Sequence, residues 1–143
     1  MKHRNYLILF GLIFFLLSGY LNAESLLIFG GKNHKTFLGC LNCNNFESKS
    51  IWNSFGKYGN RFNSNSIWNQ FGNFGSEFSA DSPWNEFASN PPIIVDKNGK
   101  FYGYLTRNEF KEKRADFKLA NIIYKYYKKI RENVSEWYPK IFN

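Results

Sequence analysis

Cys40 and Cys43 are the only cysteines, in the run Cys40-Leu41-Asn42-Cys43. That spacing admits a short disulfide, a thiol-redox centre or half of a zinc site. Zinc needs two further ligands, and His34 is the one histidine beyond the first few residues, so a Cys2His2 set cannot form within the chain. A redox centre is expected at a strand-to-helix transition, whereas Asn44-Asn45 and turn-forming residues follow here. Hydrolysis would have to use His34 as base, and no carboxylate is placed by sequence to orient it. Glu47, Glu77, Asp81 and Glu86 are scattered and form no paired-acid motif. Lys97-Asn98-Gly99 reads as a turn, too short for a phosphate loop. No catalytic residue, cofactor or metal site is assigned.

The residues with the most regular spacing are aromatic. Segments beginning at Ser48, Ser64 and Ala80 align without gaps. Trp52, Trp68 and Trp84 are sixteen residues apart, as are Phe55, Phe71 and Phe87, and each tryptophan follows the serine of Ser50, Ser66 or Ser82 by two. Asn53, Asn69 and Asn85 keep the same register, and Phe46 matches Phe62 and Phe78. Such self-similarity marks stacked units that cannot bury their apolar faces alone. Gly56, Gly59, Gly72 and Gly75 argue against a long helix. The expected unit is a single turn of helix, capped by its serine, followed by tight turns. Two readings of the aromatics stand side by side. They form the core, or Trp52, Trp68, Trp84, Phe55, Phe71 and Phe87 form a platform on which sugars or another flat ligand stack.

The ends give the context. Met1-Lys2-His3-Arg4-Asn5-Tyr6 is basic, Leu7 to Leu17 is wholly apolar, and Ser18 to Ala23 ends in a small residue. This is the plan of a secretory signal, with cleavage expected after Ala23 and Gly19 as a second candidate. A retained anchor would need about 20 apolar residues. Export implies an oxidising compartment, which favours a Cys40–Cys43 disulfide, while a reduced or intermolecular site and a catalytic dithiol stay open. The formal charge is +8. Residues 111–143 hold nine Lys/Arg against four acids and so carry most of it. Charge gathered on one helix suits a solvated face or an anionic envelope surface better than nucleic acid. Membrane contact would come only through an uncleaved signal or that basic helix.

The elements that must position these residues follow from pattern. Leu26 to Leu41 and Ile93 to Leu105 each read as a hairpin, the second turning at Asp96-Lys97-Asn98-Gly99. Thr36-Phe-Leu-Gly-Cys-Leu41 matches Lys100-Phe-Tyr-Gly-Tyr-Leu105 at an offset of 64 residues, so the hairpins are expected to pair into one sheet. Thr106 and Glu109 resemble a capping box. Leu119, Ile122, Ile123, Tyr126, Ile130, Val134 and Trp137 recur at helical spacing. The expectation is an α+β domain over 24–143. A hairpin with the cysteine pair occupies 24–47, repeats 48–90, a second hairpin 91–107, and one basic amphipathic helix 108–138 packs on the sheet.

Phe37-Leu-Gly-Cys-Leu-Asn-Cys43, the Ser-x-Ser-Ile-Trp-Asn-x-Phe-Gly units and Asn90-Pro-Pro-Ile-Ile-Val-Asp-Lys-Asn-Gly-Lys-Phe-Tyr-Gly-Tyr-Leu105 resemble a group of small exported bacterial proteins. The likeness covers residues 27 to 108 and implies location and organisation without an assigned activity. This chain uses Phe where that group favours Tyr, and adds the basic aromatic tail. The functional expectation is a non-enzymatic structural or interaction module of the envelope or exterior. The alternatives are a glycan or cell-wall binder and a thiol-redox protein at the cysteine pair.

Overall fold

The computed structural model describes residues 23–143, so the signal-peptide reading lies outside the described residues. The class is α+β, as expected. Strands β1 (Leu27–Gly30) and β2 (Thr36–Cys40) form the first hairpin, and β3 (Ile93–Val95) and β4 (Phe101–Tyr104) the second. β1 pairs antiparallel with β3, giving the order β2-β1-β3-β4 with Ile28 opposite Ile94 at its centre. Both isoleucines are fully buried.

The 64-residue echo proves structural and reaches beyond the hairpins. Leu38 and Tyr102 are the unpaired residues where the register of each hairpin shifts, and Gly39 and Gly103 follow them at φ +109 and +124. Cys40 N donates to Lys49 O and Tyr104 N to Lys113 O; Ile51 N returns to Cys40 O and Ala115 N to Tyr104 O. The resulting parallel bridges, Cys40 with Ser50 and Tyr104 with Arg114, obey the same offset. A loop tied back against its own hairpin has therefore been built twice.

Between the two copies the chain is a coil of turns with no helical segment, but the serines cap as expected: Trp52, Trp68 and Trp84 N donate to Ser50, Ser66 and Ser82 Oγ. Successive N–H groups donate three residues back: Glu47 to Asn44, Ser50 to Glu47, Asn53 to Ser50 and Gly56 to Asn53. Asn60 then donates four back, to Gly56. Four three-residue steps and one of four make the sixteen-residue period. The next coil repeats it through Asn63, Ser66, Asn69, Gly72 and Ser76. Apart from Glu47, whose carboxylate accepts from Asn44 N, the corners are Asn, Ser and Gly, residues that offer a short side-chain acceptor or no side chain at all.

The single predicted helix is two. α1 (Lys118–Glu132) buries Ala120, Ile123, Tyr124, Tyr127, Ile130 and Arg131 along one stripe. Asn133 breaks it and caps α2 (Val134–Phe142), accepting the Glu136 N–H. α2 runs on through Pro139 instead of stopping before it. The Thr106–Glu109 capping box starts no helix: Thr106 Oγ1 accepts from Asn108 N in a local turn. Nor does α1 pack on the sheet through its backbone, since among the described residues the only helix–helix or helix–strand approach is α1 to α2. Its long side chains reach outward instead, Tyr127 and Arg131 to the coils and Tyr124 to the end of β4 and to Ala115.

Candidate functional site

The six aromatic positions divide cleanly. Trp52, Trp68 and Trp84 are fully buried and cannot serve as an exposed platform. Each indole Nε1 donates to a carbonyl one layer earlier: Trp68 to Ile51 O at 2.7 Å, Trp84 to Ile67 O, and Trp52 to Leu41 O at 2.7 Å. The rings form a column, Trp52 to Trp68 at 5.7 Å, Trp68 to Trp84 at 5.6 Å, and Trp84 to Tyr127 of α1 at 4.7 Å. Phe142 of α2 meets Trp52 edge-on at the opposite end. Burying a tryptophan requires a partner for its N–H, and the preceding layer supplies it.

Phe55, Phe71 and Phe87 lie outside. So do Phe46, Phe62, Phe78 and Phe110, and the seven are 74–97% exposed. They share one local geometry. Phe46, Phe55, Phe62, Phe71, Phe87 and Phe110 each donate their backbone N–H to Oδ1 of the asparagine two residues before (Asn44, Asn53, Asn60, Asn69, Asn85, Asn108) at 2.9–3.1 Å. Phe78 uses Ser76 Oγ in the same way. The tryptophans are held by the same kind of bond, their N–H groups donating to Ser50, Ser66 and Ser82 Oγ. The turn thus fixes the local backbone, while the position within the coil decides which ring faces water. Sequence spacing identified two of these columns but missed Phe110; the recurring Asn-x-Phe triplet was the signal that finds it.

Cys40 and Cys43 form a disulfide and both are buried. Leu41, inside that loop, supplies the carbonyl for Trp52, and Cys43 O accepts from Ser50 Oγ at 3.0 Å. The loop thus stands in for a missing first coil. Asn42 fastens it to the incoming chain, accepting from Leu26 N and donating to Glu24 O. His34 is half-buried rather than free: its Nε2 lies 2.9 Å from Pro91 O, which joins the first hairpin turn to the end of the coils.

The scattered acids are also engaged. Glu86 pairs with Arg107 at 3.2 Å, and Asp81 accepts from Asn73 and Asn90. Glu77 accepts from Tyr127 Oη at 2.8 Å and lies 3.4 Å from Lys128 Nζ. Burial works to raise its carboxyl, but the Tyr127 bond and the charges of Lys128 and Arg131 hold it below the usual glutamate value. Tyr127 is pushed up to about 12 by burial and by its bond to Glu77. Arg131 is 7% exposed; Nη2 donates to Gly75 O at 3.2 Å, whereas Nε has no partner.

Among the described residues no helix is long and apolar enough to cross a membrane, and no cluster of three or more His, Cys, Asp or Glu is placed to hold a metal ion. The disulfide is compatible with an exported chain. Comparison with family models, curated proteins and solved structures gives no match.

Proposed function

We propose that this chain is an exported, non-enzymatic interaction module of the bacterial envelope or exterior, with the phenylalanines at its coil corners as the recognition surface. On this reading residues 1–23 are a cleaved signal, and the chain belongs with the small exported proteins its motifs resemble. The observation that carries it is the presentation of seven Phe side chains in water by one repeated turn, while every repeat tryptophan is buried. Large apolar side chains left in water at a regular period offer a repeated contact surface, and exposed apolar surface is where partners dock when it is contiguous. The coil places them on a scaffold stiffened by the indole column, so little side-chain and backbone freedom is lost on binding.

The ligand-stacking alternative passes from the tryptophans to the phenylalanines. Thiol-redox chemistry is less favoured, because both sulfurs are buried, bonded to each other and enclosed by the loop that caps the column.

The test is the triple variant Phe55→Ser, Phe71→Ser, Phe87→Ser, compared with wild type for co-sedimentation with purified sacculi and with envelope vesicles. The expected result is loss of co-sedimentation with an unchanged circular dichroism spectrum. Equal retention of folded variant and wild type on both surfaces would sink the proposal.

A further inference from the structure

A cavity of about 550 Å³ opens between the first two coils and the end of α1. That size lies within the range of small-ligand sites. Two of the exposed rings flank it, Phe62 from the Asn60 turn and Phe71 from the Asn69 turn, so a ligand there meets two apolar ring faces. The remaining wall is polar and incompletely satisfied. Arg131 lines it with its Nε unpartnered, and the contact of its Nη1 with Gln70 Oε1 is long at 3.5 Å. The hydrogen bond of Arg61, to Glu132 O, is equally long.

Charge points the same way. Three cations line the cavity, Arg61, Lys128 and Arg131, against the carboxylates of Glu77 and Glu132. Glu77 is already held by Tyr127 and Lys128, and so answers Arg131 only in part. The Nε of Arg131 is enclosed beyond a ligand's reach, so an incoming oxyanion would answer the weakly held Nη1 of Arg131 and the guanidinium of Arg61. Apolar ring faces beside an amide and two guanidinium groups suit one ligand chemistry best: a molecule with apolar C–H faces, hydroxyls and an acidic group.

Resting on the reading of the exposed phenylalanines as a recognition surface, we propose that this cavity binds an anionic saccharide. Its ring packs against Phe62 and Phe71, its hydroxyls meet Gln70, and its carboxylate or phosphate lies on Arg61 and Arg131.

The experiment is calorimetric titration of the protein, expressed from its full-length gene, with trigalacturonate, glucose 6-phosphate and maltotriose. At least one acidic probe should bind tenfold or more tightly than maltotriose, and which one distinguishes a carboxylate from a phosphate ligand. Arg61→Ser and Phe62→Ser, both exposed positions, should each weaken that probe at least tenfold. Lys97→Ser, at an exposed position of the β3–β4 turn outside the cavity, should leave binding unchanged. Binding of maltotriose as tight as that of the acidic probes, absence of binding by both, or full affinity in folded Arg61→Ser and Phe62→Ser would overturn the proposal. Should those results coincide with envelope retention that depends on Phe55, Phe71 and Phe87, the broader interaction reading would survive and only the saccharide site would fall.

Discussion

Trp68 Nε1 donates to the carbonyl of Ile51, seventeen residues earlier, at 2.7 Å. This bond joins one coil to the previous one through the buried centre, where water cannot replace it. Trp68→Phe keeps an aromatic ring in the column but orphans that carbonyl. The expected loss is about 2 kcal/mol, read from the midpoint of urea unfolding. A midpoint equal to wild type would mean that the column is held by stacking alone.

Asn69 works with both ends of its amide. Oδ1 accepts from Phe71 N and Nδ2 donates to Asn63 O, each at 3.1 Å. Asn69→Ala removes both bonds and should destabilise by about 1–2 kcal/mol. Asn69→Asp keeps the acceptor and loses the donor, so its melting temperature should fall between those of wild type and Asn69→Ala. The same ordering is expected at Asn53 and Asn85, which make the equivalent bonds.

Gly75 leaves no room for a side chain. A Cβ there would overlap the main-chain carbonyl of Asn69, and backbone cannot step aside as a flexible side chain can. Gly75→Ala should cost about 1–3 kcal/mol. Gly99, in the β3–β4 turn, has φ +83 and nothing within 4 Å of such a Cβ, so Gly99→Ala meets only backbone strain of about 1 kcal/mol. Thermal unfolding of the two variants compares a steric cause with a conformational one, and Gly75→Ala is expected to be the less stable.

Glu77 makes stability depend on acid. Its folded carboxyl sits below the ordinary value of 4.5, so the unfolded chain binds the proton more readily. The stabilisation is therefore complete above that value and fades as pH falls through the folded pKa. Melting temperatures taken from pH 7 down to about pH 3 should show wild type losing its advantage over Glu77→Gln in the acid range. A gap between the two curves that stays constant with pH would place the carboxyl's contribution elsewhere.

Much of this architecture is local and hence readable along the chain. The two hairpins are declared by Gly30-Gly31 and Asn98-Gly99 between apolar runs, and their pairing by the 64-residue echo. A helical stripe is visible in the spacing of Leu119, Ile122, Ile123, Tyr126 and Ile130. Leu119, Ile122 and Tyr126 are only half-buried, however, the buried face being turned toward Ala120, Tyr124 and Tyr127. The interruption of the helix was not visible, because Asn133 is tolerated inside helices and acts as a cap only through its contact with Glu136 N. The false capping box at Thr106 has a similar origin: the same residue types also close the turn that presents Phe110.

By itself the sequence determined the period and the register of the aromatics within the repeats, since each depends on contacts within a few positions. It left undecided which aromatics face inward. Trp68 and Phe71 are both large, both recur every sixteen residues, and neither spacing nor hydropathy separates them. The tertiary structure decides it, because an indole N–H can be buried only where the previous coil offers a carbonyl. Ile51 O meets that need for Trp68, while Phe71, held by an equivalent turn at Asn69, lies in water. Only tertiary packing could also bring Arg131 beside Phe62 and Phe71, 69 and 60 residues earlier in the chain, to line one cavity.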